Sequence, residues 1–155
     1  MTGDESPSTA ARAAWMGVLA RADKRQLADA MNNLKDPPPF EWLRRPEIGA
    51  VMTQGRAGGT GQAFSLGEMT VTRCALRLKA APDVIGHAYV QGRDAVKAEN
   101  AALADAMLQT QDYAQRVQQT VIEPLQAAEA ERRLAARRKA GATKVDFFTM
   151  VRAEA

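Results

Sequence analysis

The chain has 155 residues, of which 46% are apolar and only 5% aromatic, and 21 basic against 18 acidic residues give a net charge of +3. This length favours one domain that buries its core without disulfides or metals, and the nearly even charge balance does not by itself argue for nucleic-acid binding. The single cysteine excludes an internal disulfide, and the sequence lacks both a signal-peptide core and a membrane-spanning run, so we expect a soluble, cytoplasmic chain.

Two helices are predicted near the N-terminus, after a polar stretch, residues 1–8, that we expect to be frayed. Ser8 or Thr9 is predicted to cap the first helix, and Asp23 the second. The triple proline in LKDPPPF ends the second helix because proline lacks the N–H donor. Since alanine buries little area, we expect the larger side chains to supply much of the core: Trp15, Phe40, Trp42, Phe64 and the leucines.

A small, mainly antiparallel sheet of about three strands is predicted next. Residues 47–56 (EIGAVMTQGR) are predicted to form a strand that runs into a glycine loop. Residues 68–79 (EMTVTRCALRLK) are the clearest strand because they are β-branched and alternate, with a core-like face that includes Thr72 and Cys74 and a second face that becomes basic. Residues 87–93 predict the third strand, and the short connections favour antiparallel neighbours.

The apolar period then changes to that of a helix. Asp94 is predicted to cap a long central helix that reaches about Ile122, where Glu123 and Pro124 break or kink the chain. The following helix has acids early and arginines late, which complements the helix dipole, and Gly141 is expected to stop it. The sequence therefore predicts an α+β fold in a single domain over residues 1–155.

An apolar tail, residues 142–155, is predicted to dock on a partner. Its candidate interface residues are Phe147, Phe148, Met150 and Val151. A sheet of about three strands also has exposed edges, and we expect the tail and a sheet edge to be buried against other subunits. Expressed alone, the chain is therefore expected to be poorly soluble or to self-associate.

The stretch QGRAGGTGQ between the first two strands is a candidate anion-binding loop. It lacks the lysine of a P-loop, and a strand rather than a helix follows it, so it does not match a dinucleotide-binding fingerprint either. Gly58, Gly59 and Gly61 still permit positive φ angles that turn successive N–H groups toward an anion, and Arg56 adds charge. A flexible hairpin or an inter-subunit loop explains the same pattern.

A second Gln-Gly-Arg triplet, residues 91–93, lies directly before the long helix. A strand, a glycine and a helix N-terminus form a geometry that binds anions, with Arg93 beside free N–H donors. The alternative is that Gly92 only permits a tight turn between strand and helix.

We find no self-contained catalytic constellation in the sequence. Cys74 and His87 are the only residues of their types, so no spacing typical of a metal site occurs, and Cys74 falls on the core-like face of its strand. The carboxylates, Asp105 among them, are scattered, with no pair that one element would hold together for acid–base chemistry. The run ERRLAARRK is interpreted as a solvated or partner-facing surface. We predict no catalytic residue, no metal and no cofactor bound by this chain alone.

Five stretches carry a family resemblance, in the order AWMGVLA, GRAGGTGQAFSLGEMTVTRCALRL, GHAYVQGRDAVKAENAALADAMLQ, VIEPL and VDFFTMVR. They span nearly the whole chain and resemble the G subunit of the bacterial carbon–phosphorus lyase core complex, the PhnG family. The resemblance implies a cytoplasmic assembly with H, I and J subunits and an ATPase-like L subunit. In that assembly a phosphonate oxygen displaces adenine from the substrate ATP and leaves ribose 1-alkylphosphonate 5-triphosphate.

The same resemblance implies that the nucleosidase-type chemistry belongs to the I subunit and the radical cleavage to the J subunit. This chain would then be required without being the catalyst. Since the substrates carry a triphosphate and a phosphonate, the hypothetical anion contacts are Arg56, Gly58, Gly59, Thr60, Gly61, Arg73 and Arg93. The second function class is a stand-alone anion- or nucleic-acid-binding module, supported only by the glycine loop and the arginine-rich helix.

Overall fold

A computed structural model describes residues 7–142 and shows helices packed on one face of a three-stranded antiparallel sheet in the order β1-β2-β3. The strands are β1 (Phe40–Arg56), β2 (Ala63–Leu78) and β3 (Ile85–Gln91). The helices are α1 (Thr9–Arg21), α2 (Lys24–Asn32), α3 (Ala95–Leu108), α4 (Gln111–Val117) and α5 (Glu123–Ala142). The predicted α+β class, with two N-terminal helices, the small sheet and a C-terminal helix, is confirmed.

The helix starts follow from local capping. The Ser8 hydroxyl accepts a hydrogen bond from the Ala11 N–H at 3.2 Å, and the Asp23 carboxylate accepts one from the Arg25 N–H at 2.9 Å. Each bond satisfies an N–H group that has no partner within its helix. Helix α2 ends ahead of the triple proline, as predicted.

The prediction of one helix reaching about Ile122 was wrong. Helix α3 ends at Leu108, where the Thr110 hydroxyl donates to the Met107 carbonyl at 2.8 Å and competes with the helical pattern. The irregularity predicted at Glu123 and Pro124 is one π-helical turn, residues 118–122, directly before α5, which begins at Glu123. A wider turn accommodates a ring that cannot donate a hydrogen bond.

Strands β1 and β2 begin earlier than the sequence predicts. Strand β1 starts at Phe40 and contains Pro46, which it accommodates through two shifts in register between Trp42 and Glu47. An edge strand tolerates a proline at such an irregularity. Strand β3 pairs with β2 only as far as Val71, so residues 50–56 and 63–70 continue as a two-stranded hairpin, which we call the arm.

The core lies between the helices and the predicted core-like face of β2, on which Thr72, Cys74, Leu76 and Leu78 are buried. Helix α3 contributes mostly small side chains to it: Ala98, Ala101, Ala102, Ala104 and Ala106. These alanines let the helix backbone lie against the sheet. At Gly86 on β3, an added Cβ would collide with the Ala102 carbonyl oxygen, so this approach requires glycine.

The aromatic residues divide between the core and the surface. Trp15 is buried, and the rings of Phe40 and Trp42 pack edge to face with centroids 5.1 Å apart beside the core. The prediction that Phe64 supplies the core was wrong, since its side chain is 48% exposed on the arm. The third strand and the helices do not extend that far.

Candidate functional site

The predicted anion loop forms the tip of the arm. Gly58 and Gly59 have φ angles of 60° and 81°, which confirms that this turn needs residues without side chains. The N–H groups of Thr60 and Gly61 both face the Ala57 carbonyl oxygen. These two donors are therefore directed into the turn.

The Arg56 guanidinium closes the same loop. Its Nη1 donates to the Gly61 carbonyl at 3.1 Å, in an exposed position. The loop thus places one charged group beside a tight turn, where an anion would compete with the turn's own hydrogen bonds.

Arg73 lies on the outer face of the sheet, away from the helices. Its Nε donates to Glu47 on β1 at 2.7 Å, and Arg44 donates to the same carboxylate oxygen at 3.1 Å. The hydrogen bond to Glu47 raises the pKa of Arg73. An anion bound here would share Arg73 with a carboxylate that already bridges two arginines.

Arg93 lies in the turn between β3 and α3, after Gly92 with its φ of 87°. Asp94 caps the helix, as predicted, by accepting the Lys97 N–H at 2.9 Å. The Thr72 hydroxyl fixes the turn, because it donates to the Gly92 carbonyl at 2.7 Å and accepts the Asp94 N–H at 3.0 Å. Arg93 is exposed beside a helix N-terminus that already holds one carboxylate.

The three candidate arginines lie in three different places. Arg56 is at the arm tip, whereas Arg73 pairs with Glu47 at the other end of residues 47–56, about 30 Å away along the strand. Arg93 follows the end of β3. The fold therefore does not combine the three arginines into one site, and each remains a separate predicted anion contact.

A buried polar cluster that the sequence analysis missed surrounds Asp105. Its carboxylate is fully buried and accepts hydrogen bonds from Arg12 Nη2 at 2.7 Å, Trp15 Nε1 at 2.8 Å and the His87 N–H at 2.9 Å. Arg12 also donates to the Ile85 carbonyl at 3.0 Å. The cluster joins α1, β3 and α3. The available signal was a charged residue inside the apolar run AALADAML, which needs buried partners.

The cysteine and the histidine do not form a reactive pair. Cys74 is buried and its thiol donates to the Ala98 carbonyl at 3.2 Å, while burial raises the pKa of the thiol to about 12. A protonated thiol is a poor nucleophile. The hydrogen bond that His87 makes to Asp105 comes from its main-chain N–H, at 2.9 Å. Within residues 7–142, no three His, Cys, Asp or Glu side chains converge to hold a metal ion.

Helix α5 projects from the body beyond its first turns. Glu129 anchors it, accepting from Arg21 at 2.7 Å and from Arg133 at 2.6 Å, and the hydrogen bond from Arg21 lowers the pKa of Glu129. From Glu131 onward every described residue is exposed, and α5 is described to Ala142, one residue past the predicted stop at Gly141. The basic run therefore lies on an exposed helix.

The predicted tail contacts lie outside the described residues: Phe147, Phe148, Met150 and Val151. In the part of the chain that the structure describes, no helix is both long and apolar enough to span a bilayer. Half of the exposed large apolar side chains among residues 7–142 lie on the arm or beside it, namely Ile48, Met52, Phe64 and Leu66. The others, Leu43, Tyr89, Val96 and Leu134, lie elsewhere.

The fold and these surfaces define an α+β domain whose buried polar side chains are all hydrogen-bonded in the described region and whose arm and last helix project outward. The family model described as phosphonate metabolism protein PhnG matches residues 10–153. The chain is also 39% identical over 153 residues to the alpha-D-ribose 1-methylphosphonate 5-triphosphate synthase subunit PhnG of Rhizobium meliloti (strain 1021), covering 99% of this chain and 96% of that relative. The chain belongs to the PhnG family of phosphonate metabolism proteins.

Proposed function

We propose that this chain is a required, non-catalytic subunit of the carbon–phosphorus lyase core complex. It takes part in forming ribose 1-alkylphosphonate 5-triphosphate from ATP and a phosphonate, with release of adenine. The observation that carries the proposal is the match to the PhnG family over residues 10–153. The relative from Rhizobium meliloti is itself a subunit of a synthase whose product is the methyl member of this class.

The non-catalytic role is supported by the hydrogen bonds that the buried carboxylate and the buried thiol make within the fold. The Asp105 carboxylate accepts hydrogen bonds from Arg12, Trp15 and His87, and the Cys74 thiol donates to a helix carbonyl. These groups stabilise the fold, which leaves them unsuited to proton transfer or nucleophilic attack. We therefore assign the bond-making chemistry to another subunit. ATP is a substrate of the whole complex, and this chain alone binds no cofactor.

The proposed partners are the H, I and J subunits, together with the ATPase-like L subunit, in the cytoplasm. Support comes from the exposed apolar side chains on the arm, where Met52 is 57% and Leu66 is 64% exposed. Apolar side chains grouped on a projecting hairpin are typical of a protein–protein interface.

Reconstitution tests the proposal. The full chain is co-expressed with the H, I and J subunits of the same genome, the complex is supplied with L, ATP and methylphosphonate, and adenine release is measured by chromatography. The complete set is expected to release adenine, whereas omission of this chain lowers the rate by about a hundredfold or more. Adenine release by the chain alone, or at an equal rate without it, would contradict the proposed role.

The alternative of a stand-alone nucleic-acid-binding module has its own signature. Fluorescence anisotropy of a labelled oligonucleotide titrated with the lone chain would show binding that weakens steeply with salt. The proposed subunit role predicts no such binding at physiological ionic strength.

A further inference from the structure

Main-chain hydrogen bonds on either side of β2 show which of its residues face each neighbouring strand. The Thr70 carbonyl accepts the N–H of Gly92 on the β3 side at 2.9 Å, and the Lys79 N–H donates to the Pro39 carbonyl on the β1 side at 3.0 Å. Because main-chain groups alternate in direction along a strand, even-numbered residues of β2 face β3 and odd-numbered residues face β1.

The same alternation applies to β1. Gly49 and Val51 pair with odd-numbered residues of β2 and direct their main-chain groups inward. The residues that alternate with them, Ile48, Ala50 and Met52, direct their N–H and C=O groups away from the sheet. Among residues 7–142, no hydrogen bond reaches these outward groups.

The two halves of the outer edge of β1 differ in how strongly they discourage pairing with another chain. Pro46 and the shifts in register before Glu47 disrupt the first half, which discourages pairing with another chain. Residues 47–53 pair with β2 in one unbroken register and contain neither proline nor lysine. Ile48 and Met52, on this segment, are 60% and 57% exposed. An exposed, regular and apolar edge is a template for an added strand.

Charge further specifies what this edge would accept. Residues 48–55 carry no charge, and exposed arginines, Arg45 and Arg56, flank them at the two ends. The Glu47 carboxylate is already bridged by Arg44 and Arg73. The complementary strand therefore has apolar side chains at alternate positions and acidic residues at its ends.

We propose that residues 47–53 of β1 are the acceptor edge for a strand of that composition from another subunit of the synthase complex. The inference rests on the proposed function, since it requires that the chain assemble with other subunits. The added strand would extend the sheet to four strands and give the arm a third strand, which a two-stranded hairpin needs for stability of its own.

A pair of substitutions at Ala50 tests the edge. Ala50→Pro removes an outward N–H group, which an edge strand tolerates, whereas Ala50→Val keeps the N–H and favours a strand. Each full-length variant is co-expressed with the H, I and J subunits and analysed by size-exclusion chromatography after dilution. The affinity for the other subunits is expected to fall about tenfold or more for Ala50→Pro and to remain unchanged for Ala50→Val.

Amide hydrogen exchange provides a second measurement that needs no variant. In the wild-type complex, Ile48, Ala50 and Met52 are expected to exchange about tenfold or more slowly than in the lone chain, while Gly49 and Val51 change little. This alternation is specific to strand addition. Equal protection at all five positions would indicate general burial and overturn the proposal.

The remaining outcomes distinguish failure of the edge proposal from failure of the proposed function. If the wild-type chain does not co-elute with the H, I and J subunits, both proposals fail. If it co-elutes and the Ala50→Pro complex is equally stable, only the edge proposal fails. A lone wild-type dimer that Ala50→Pro makes monomeric would show pairing with a second copy. If the amides of Ile48, Ala50 and Met52 are already protected in the lone chain, and truncation after Ala142 removes that protection, the edge pairs with the chain's own tail. Either result also overturns the proposal.

Discussion

The Trp15 indole N–H donates a 2.8 Å hydrogen bond to the Asp105 carboxylate, 90 residues further along the chain, and both side chains are buried. The same carboxylate pairs with Arg12 and accepts the main-chain N–H of His87. This bond therefore belongs to a cluster that fixes α1 and α3 against β3.

Removal of the Asp105 carboxylate is expected to destabilise the fold strongly. Asp105→Ala leaves the Trp15 N–H and the His87 N–H without a buried partner and Arg12 without its counter-ion, for a loss of about 3 kcal/mol in the free energy of unfolding. Urea denaturation measures the loss. Asp83→Ala, at an exposed turn position, is the matched control and should change stability by less than about 0.5 kcal/mol.

The contact between β3 and α3 predicts a contrast between two glycines. Gly86→Ala places a Cβ against the Ala102 carbonyl oxygen and should cost about 3 kcal/mol, because neither backbone can move without disturbing the core. Gly49→Ala, on β1, meets no atom within 4 Å and should be neutral or slightly stabilising. Thermal melts of the two variants test the prediction, and equal melting temperatures would contradict it.

The buried thiol predicts how stability depends on pH in the alkaline range. The Cys74 thiol keeps its proton up to a pKa of about 12 in the folded chain, whereas in the unfolded chain it ionises near its ordinary pKa of 9.0. Deprotonation therefore favours the unfolded state, and the free energy of unfolding falls as the pH rises between these values. Urea titrations at increasing pH should show a shallower decline for Cys74→Ala. An identical decline in both proteins would refute the assignment.

The anion contact predicted at the start of α3 is tested in the assembled complex. If Arg93 binds a phosphate or phosphonate group, Arg93→Ala should raise the KM for ATP or for methylphosphonate about tenfold without changing assembly. Arg25→Ala, on the exposed side of α2, is the control and should leave both KM values unchanged. An unaltered KM for Arg93→Ala would eliminate this contact.

Local interactions explain which elements were predictable from the residues. Asp23 and Asp94 cap helices through N–H groups two or three residues away, and the alternation along β2 needs only its own side chains. The positive φ angles at Gly58 and Gly59 also arise from a local turn. The family was likewise recognisable from motifs spread along the chain.

Residues distant in the sequence decided the features that the local patterns did not predict. The structural role of Asp105 depends on hydrogen bonds from Arg12 and Trp15, which lie 93 and 90 residues earlier in the chain. Phe64 is exposed because β3 is shorter than the hairpin beside it, and strand pairing sets that length.

By itself, the sequence determined the α+β class, the capped starts of α1, α2 and α3, the core-like face of β2 and the family, since these depend on neighbouring residues or on the motifs as written. Only the tertiary structure decided that Asp105 is a buried structural hub, that the candidate arginines lie apart, and that β1 leaves a regular edge open. The physical reason is that burial, hydrogen-bond partners and strand overlap are properties of segments brought together by folding, which no local pattern specifies.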